Sequence, residues 1–534
     1  MVPHMNKSVY QKIGAATLIM MATIFLSRVL GVLRESVLAA LGGAGTSVDA
    51  YKAAFVLPEI LNHIMASGYF SVAFIPIFSS YLAKRDDAGG WRVFSTIMTV
   101  FGLVLVVLIA AAMLLAPQLM QLLAPGRANP EFFSMAVRMT RILLPAQLFF
   151  FAGGMFMAVQ FAKERFLLPA LSGVLYNLGI IAAGLGLNAW LGVEGFAWGA
   201  LGGAFVGNFW LQVVGARRLG MRFTPNLDWR HPDLKRYILL TLPLMLGLTM
   251  TFSTEIFSKF FGSFLPTGAI AQIDYAWRIV LMLVAFFGQA VGVASYPFLA
   301  RLAAEQRLDE MNQLFNNTLR YLALVIPVSV LIFVVRHEVI RILFERHAFS
   351  SADTRATALA LAGMLLGAVA IAAQTVVNRG FYALQNTMLP AIFGSVAVAL
   401  SLPIYWIGLN TMGVLGIGLA ISCSALIQVQ ILFGLWNRKS HNTQSRGVYR
   451  FYAKIFALCV PVAAVLLLAQ QFLLQWINRA TFIGSISIIA VQGILFLLLM
   501  ALATWLFKIE EAQQLWRKAA KRLPLPGLRR GVQA

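Results

Sequence analysis

Apolar residues recur along this chain in windows of about 20, the length that carries an α-helix across the hydrocarbon of a bilayer. Fourteen such segments fall at roughly 13–40, 49–82, 94–122, 133–162, 167–188, 195–216, 234–263, 269–300, 312–335, 355–384, 387–409, 413–436, 451–473 and 480–507. Several exceed 20 residues and carry Pro or Gly inside, as Pro58 and Pro76 do in the second, so bent or broken helices are expected. The predicted fold class is an all-α polytopic membrane protein of about fourteen transmembrane helices.

Composition excludes the soluble alternative. Of 534 residues 60% are hydrophobic and 12% charged, and mean hydropathy is +0.80. That is too little charge to give a chain of this size a polar skin. The first apolar run follows Lys7 and Lys12 and passes into Ser27-Arg28 without a small-residue cleavage site, so it reads as a retained span. Residues 1–4 read as an alternative start or a remnant, with Met5 as the native start. Cys423 and Cys459 have no partner spacing and read as inert thiols.

Charge gives the topology. The chain holds 42 Lys+Arg against 20 Asp+Glu, a net +22. One alternating set of connections carries most of the cations, including Lys84, Arg92, Lys163, Arg217, Arg218, Arg301 and Arg438. The other set, at 42–48, 188–195, 266–269 and 410–413, is nearly bare, with Arg127, Arg479 and the cluster Arg336, Arg341 and Arg346 as exceptions. The positive-inside rule then makes both termini cytoplasmic, as an even number of spans requires. A basic tail at 508–534 reads as a topogenic or headgroup-binding stretch. Nothing supports nucleic acid as a partner.

The chain also repeats itself. Phe161-Ala162 with Leu168-Pro169-Ala170 returns as Phe381-Tyr382-Ala383 with Leu389-Pro390-Ala391, and Asp49-Ala50-Tyr51 has an echo in Asp274-Tyr275-Ala276. The shared offset predicts two six-helix lobes, 10–216 and 234–436, followed by two added helices at 451–507.

Charges inside apolar segments are costly and mark function. The first segment carries Arg28, Arg34 and Glu35, with Arg28 and Glu35 seven apart on one helical face. The second has Lys52, Glu59 and His63 as a polar stripe beside Asp49. Glu255–Lys259 and Asp274–Arg278 are i, i+4 pairs, which the bland reading makes self-neutralising bridges. Two arginines against one glutamate leave the first segment with an uncompensated cation, so a wet cationic cavity for an anion is expected. Guanidinium forks suit a diphosphate. No metal-binding, nucleotide-binding or hydrolytic motif is present, so a transporter is expected and not an enzyme.

The blocks Ser27-Arg28-Val29-Leu30-Gly31 with Arg34-Glu35, Asp49-Ala50-Tyr51 with Leu57-Pro58, Gly-Tyr-Phe-Ser-Val-Ala-Phe-Ile-Pro at 68–76, Leu-Phe-Glu-Arg-His-Ala-Phe at 343–349 and Gly-Phe-Tyr-Ala-Leu-Gln-Asn-Thr at 380–387 resemble, in order, the MurJ/MviN lipid II flippase family. The resemblance covers about residues 10–505. It implies the two-lobed fold of the multidrug/oligosaccharidyl-lipid/polysaccharide exporters, a lipid-tail groove in the added helices, and a plasma-membrane location. It implies transfer of undecaprenyl-diphosphate-linked disaccharide-pentapeptide (lipid II) to the outer leaflet for cell-wall synthesis. Arg28, Arg34 and Arg278 match the family's cavity arginines, with Glu35, Asp49, Lys52 and His63 as expected charge partners. No cofactor is expected, beyond coupling to the membrane potential or a monovalent cation. The sequence departs from the family pattern at Val56, Asn62, His63 and Trp277, where many members have Lys, Arg or an acidic or amide residue. Lys52, one turn before Val56, is expected to restore one charge. The alternative is a flippase for another polyprenyl-diphosphate-linked oligosaccharide.

Overall fold

A computed structural model describes residues 7–66, 68–246 and 249–506; among them the regular structure is helical, with no strand. The basic tail lies outside the described residues. Helix covers each of the fourteen predicted segments. Among the described residues, eight helices are long and apolar enough to cross a membrane by themselves, Asp87–Leu123 and Ser445–Trp476 among them. The pair Ser351–Leu365 and Ala368–Ala383, bent by 48°, gives a ninth.

Residues 387–436 show why helix length alone misleads. Helix runs from Met388 to Lys439, 52 residues, but Gly413 inside it has φ 55° and ψ −125°. Gly408 and Gly416 touch: a Cβ built on Gly416 would lie 1.9 Å from the Gly408 carbonyl oxygen. On one straight helix residues eight apart are separated by about 12 Å. The chain therefore reverses at Gly413, where only glycine adopts the backbone without strain, and two antiparallel helices result.

The second segment breaks early. Thr46–Ala54 stops where the ring of Pro58 would clash with the Ala54 carbonyl, and Val56–Leu61 restarts the helix. A π-helical turn, Asn62–Ala66, follows, then Gly68–Ala83. The eighth segment has the same form: Ala269–Val284, a π-helical turn at Ala285–Gln289, and Ala290–Ala304. By contrast, the first helix runs unbroken from Lys7 to Gly42, through Gly31.

Packing divides the molecule. One buried cluster, with Phe74, Phe94, Phe151 and Phe156, lies within residues 65–237. A second, with Phe315, Phe381, Phe433 and Trp436, lies within residues 299–448. A third joins both halves, bringing Leu38, Tyr51, Met139 and Phe196 against Tyr275, Phe344, Leu361 and Ile417. Its residues flank the cation-poor connections, so the halves are fused at that end of the molecule. One element there was not predicted: a nine-residue helix, Arg336–Phe344, between the ninth and tenth segments.

Candidate functional site

In the last third of the first helix, Arg34 and Glu35 meet the broken second and eighth segments. Glu35 accepts from Arg34 at 2.6 Å and from Lys52 at 2.5 Å. Lys52 also reaches Asp274 across the two halves at 2.7 Å, and its ammonium lies 5.0 Å from the centre of the Tyr275 ring. Asp274 is shared further, with Arg278 at 3.4 Å and Lys259 at 3.7 Å, and Arg278 lies 3.9 Å from Glu35. Arg34 has a second partner, donating to Asn177 Oδ1 at 3.2 Å. Beside Lys259, Glu59 and Glu255 of the two halves lie against each other.

The balance follows by counting. Arg28, Arg34, Lys52, Lys259 and Arg278 supply five positive charges. Glu35, Glu59, Glu255 and Asp274 supply four carboxyl groups, so cations outnumber acids. Exposure says where the excess is available. The side chains of Lys52, Asp274, Glu35 and Lys259 are buried, whereas those of Arg34 and Arg278 are 18% and 29% exposed. Arg28, six residues and about 9 Å nearer the cation-rich end, is exposed and makes no hydrogen bond or ion pair among the described residues. Acids hold the buried cations, and the arginines keep part of their donors exposed.

Not every expected residue belongs here. Asp49, expected to balance the cavity arginines, is fully buried at the cation-poor end instead. Its Oδ2 accepts from Arg127 at 2.5 Å and from the Gly268 amide at 2.7 Å, and its Oδ1 from the Ala271 amide at 2.8 Å. The reason is positional: Asp49 opens the second segment, opposite the first turn of Ala269–Val284, whose unbonded N–H groups need an acceptor. Gly268 before that helix has φ 94° and no capping side chain of its own, so the other half caps it. Arg127 also donates to the carbonyls of Leu265 and Pro266, and Ala348 donates to that of Ala40. These contacts latch the two halves together.

Lys52 does not restore a cavity charge, because both its bonds go to buried acids. Asp274–Arg278 forms its i, i+4 bridge but is tied into the wider network rather than self-contained. Val56 is buried, Asn62 donates to Gln147 at 2.8 Å, and the His63 ring donates through Nδ1 to the Glu59 carbonyl at 2.8 Å. Sequence reasoning missed Asn177, a lone amide in an apolar helix that carries no pattern, and the role of Arg127. The breach of the charge rule at Arg127 was the available signal. A groove of about 730 Å³ lined by Arg138, Arg141 and Glu194 touches none of the network, so charge and not volume marks the site.

A family model described as Lipid II flippase MurJ matches residues 38–487. The chain belongs to the MurJ family. Relatives in that family include a probable lipid II flippase MurJ of Rhizobium tropici, 28% identical over 78% of this chain and 79% of its own length. The lipid II flippase MurJ of Burkholderia cenocepacia is 27% identical over 83% of this chain and 87% of its own. The fold agrees. A solved structure of lipid II flippase MurJ in an inward closed conformation has a TM-score of 0.73 at 20% identity, over 91% of this chain and 99% of that one. An inward-facing multidrug resistance MATE family transporter of the MOP superfamily follows at 0.64 and 14%, over 81% and 99%. This MurJ-family chain is therefore a multi-pass membrane protein with the fold of those transporters.

Proposed function

We propose that this chain is a lipid II flippase: a transporter and not an enzyme, carrying undecaprenyl-diphosphate-linked disaccharide-pentapeptide from the inner to the outer leaflet of the plasma membrane. Membership of the MurJ family supports the cargo. The observation that carries the chemistry is the positive excess, offered by partly exposed arginines from both halves. A diphosphate diester brings two negative charges, and guanidinium forks bind phosphate oxygens in parallel pairs.

Arg28, Arg34 and Arg278 hold the diphosphate, and the lobes 10–216 and 234–436 rock about it. The Asp49–Arg127 latch holds the outer end shut while cargo enters from the cytoplasmic side, where both termini lie. Lys52 joins the lobes through Glu35 and Asp274, so cargo that draws Arg34 and Arg278 away loosens that bridge. A cytoplasm-negative potential favours outward movement of the anion by about 2.3 kcal/mol per charge per 100 mV and couples to the cycle without a cofactor. Helices 451–507 supply the surface along which the lipid tail slides.

One observation favours a second reading, a flippase for another polyprenyl-diphosphate glycan. At Val56, Asn62 and His63 no cation faces the cavity, although the resemblance expects basic residues there. Complementation separates the two. Depleting the resident lipid II flippase and expressing this chain restores outer-leaflet lipid II if the first reading holds. Loss of rescue despite normal membrane levels selects the second. If Arg28→Ala and Arg278→Ala both retained full rescue, the cavity would not be the cargo site.

A further inference from the structure

Four helix ends meet beside the latch, where Val325–Val334 and Ser445–Trp476 finish and Arg336–Phe344 and Phe482–Leu506 begin. Phe472, Trp476, Phe482 and Ile483 are exposed there, as in the aromatic belts at headgroup level. The same rim collects arginines, against the charge rule that leaves other connections at this end bare. Arg341 donates to the Arg479 carbonyl, which clamps the 477–481 connection onto the nine-residue helix. Arg346 donates to the carbonyls of Ile342 and Leu343, and its guanidinium lies 5.9 Å from the centre of the Phe482 ring. Arg336 donates through Nη1 to the Phe333 carbonyl, while its buried Nε has no acceptor.

Arg336 and Arg346 lean on neutral backbone oxygens, and the nearby acids are fewer than the arginines; Glu338, with Oε1 left without a hydrogen-bond partner, is the buried one. Glu338 is fully buried and accepts from Gln470 at 3.2 Å; Glu345 pairs with Arg341 at 3.0 Å; Asp353 closes a capping box with Ser350. The guanidinium groups of Arg355 and Arg479 make no hydrogen bond or ion pair among the described residues. Arg336, Arg341, Arg355 and Arg479 all lie close enough to act on His337, which burial first, and these four cations next, hold down to about 4. The histidine is neutral at pH 7, so five arginines, Arg336, Arg341, Arg346, Arg355 and Arg479, stand against three acids, Glu338, Glu345 and Asp353, and the rim keeps a cation excess.

We propose that Arg336, Arg355 and Arg479 form a second anion site, which takes the phosphate of a membrane lipid in the leaflet at the cation-poor end. The apolar neighbours decide for a lipid over free phosphate. A phosphate held by these forks would place its acyl chains along Phe472, Trp476 and Ile483. The site is separate from the central network and does not depend on which glycan the protein carries.

Native mass spectrometry of the full chain, delipidated and titrated with phosphatidylglycerol, phosphatidylcholine, undecaprenyl diphosphate or inorganic phosphate, tests it. Phosphatidylglycerol is retained over phosphatidylcholine, and Arg336→Gln with Arg479→Gln weakens retention roughly thirtyfold, as two surface cations acting together would. The remote pair Arg217→Gln with Arg218→Gln, exposed at the cation-rich end, changes nothing. If undecaprenyl diphosphate depends on Arg336 and Arg479 and phosphatidylglycerol does not, the site still holds a lipid phosphate, that of the cargo on its way out. Equal retention of phosphatidylcholine, competition by inorganic phosphate at matched concentration, or indifference to the double substitution overturns the proposal. Should the double variant misfold, rising salt on the unaltered chain tests the same contact: retention through surface arginines must weaken, and retention that ignores salt overturns the proposal.

Discussion

Two charged clusters join the halves of this molecule, and they are built on opposite terms. At the latch, one buried carboxylate takes three donors at 2.5–2.8 Å: Arg127 and two backbone amides. Its oxygens have no room for a ligand, and its geometry fits only the joined arrangement. In the cavity, cations outnumber negative charges, Arg278 sits at the long distances of 3.4 and 3.9 Å from its acids, and Arg28 has no partner at all among the described residues. A saturated cluster sets a conformation. An unsaturated one waits for a ligand.

The contrast is under most strain inside the cavity, at the residue that behaves like the latch. Lys52 is buried between Glu35 and Asp274, so Lys52→Met leaves two acids facing each other without their shared cation. Removing one member of a buried ion pair costs about 3–5 kcal/mol. Thermal unfolding in detergent should therefore shift well below that of the unaltered chain, and Asp274→Asn added to Lys52→Met should recover part of the loss. An unchanged melting temperature in the single variant would mean that Lys52 is a cargo ligand after all.

The latch itself comes next. Asp49→Asn removes the charge facing Arg127 and turns an amide donor toward other donors, at a cost of about 1–3 kcal/mol to the closed arrangement. Spin labels on cysteines replacing Trp190 and Met412, both exposed at the cation-poor end, report it once Cys423 and Cys459 are changed to Ser. The variant should populate longer distances than the parent. Identical distance distributions would show that the apolar cluster around Tyr51, Tyr275 and Phe344 closes this end without the ion pair.

Arg28 is where the unsaturated character should appear alone. Arg28→Gln breaks no bond in the described structure, so its melting temperature should match the parent. Affinity for undecaprenyl diphosphate should fall about tenfold to a hundredfold, the range of one charged hydrogen-bonding group. Arg34→Gln should lose both, because Arg34 also holds Glu35 and Asn177. If the two variants behave alike, the distinction between structural and cargo-facing arginines fails.

How much of this the chain shows unaided depends on whether a signal is local. The apolar windows place helices because each window is long enough to be read by itself, and even the kink between 409 and 413 falls in a predicted connection. The i, i+4 bridge of Asp274 and Arg278 is equally local. Lys52 between Glu35 and Asp274 is not, since its acids come from residues far away in the chain, and pairing by helical spacing cannot find them. Asp49 was misplaced for the same reason: its partners are the amides of a helix end about 220 residues downstream, and an amide carries no side-chain signature.

His63 should produce the smallest effect, and it decides most about the cargo. Its ring bonds the carbonyl of Glu59, one turn back on the same segment, where a π-helical turn begins. That bond stabilises its own helix locally, and the ring also lies near Glu255 of the other half. His63→Ala should cost about 1 kcal/mol in stability, as the loss of one hydrogen bond does. Rescue of outer-leaflet lipid II should not change measurably. The resemblance expects a basic residue at this point, so His63→Arg is the informative companion, adding a fixed charge beside a site where cations already outnumber acids. A gain in lipid II affinity would mean that the native cavity lacks a headgroup contact, which favours the other-glycan reading. No gain would mean that the diphosphate arginines already suffice. A large loss in His63→Ala would instead place the imidazole in contact with cargo, and the cavity would then extend one π-helical turn beyond the arginines.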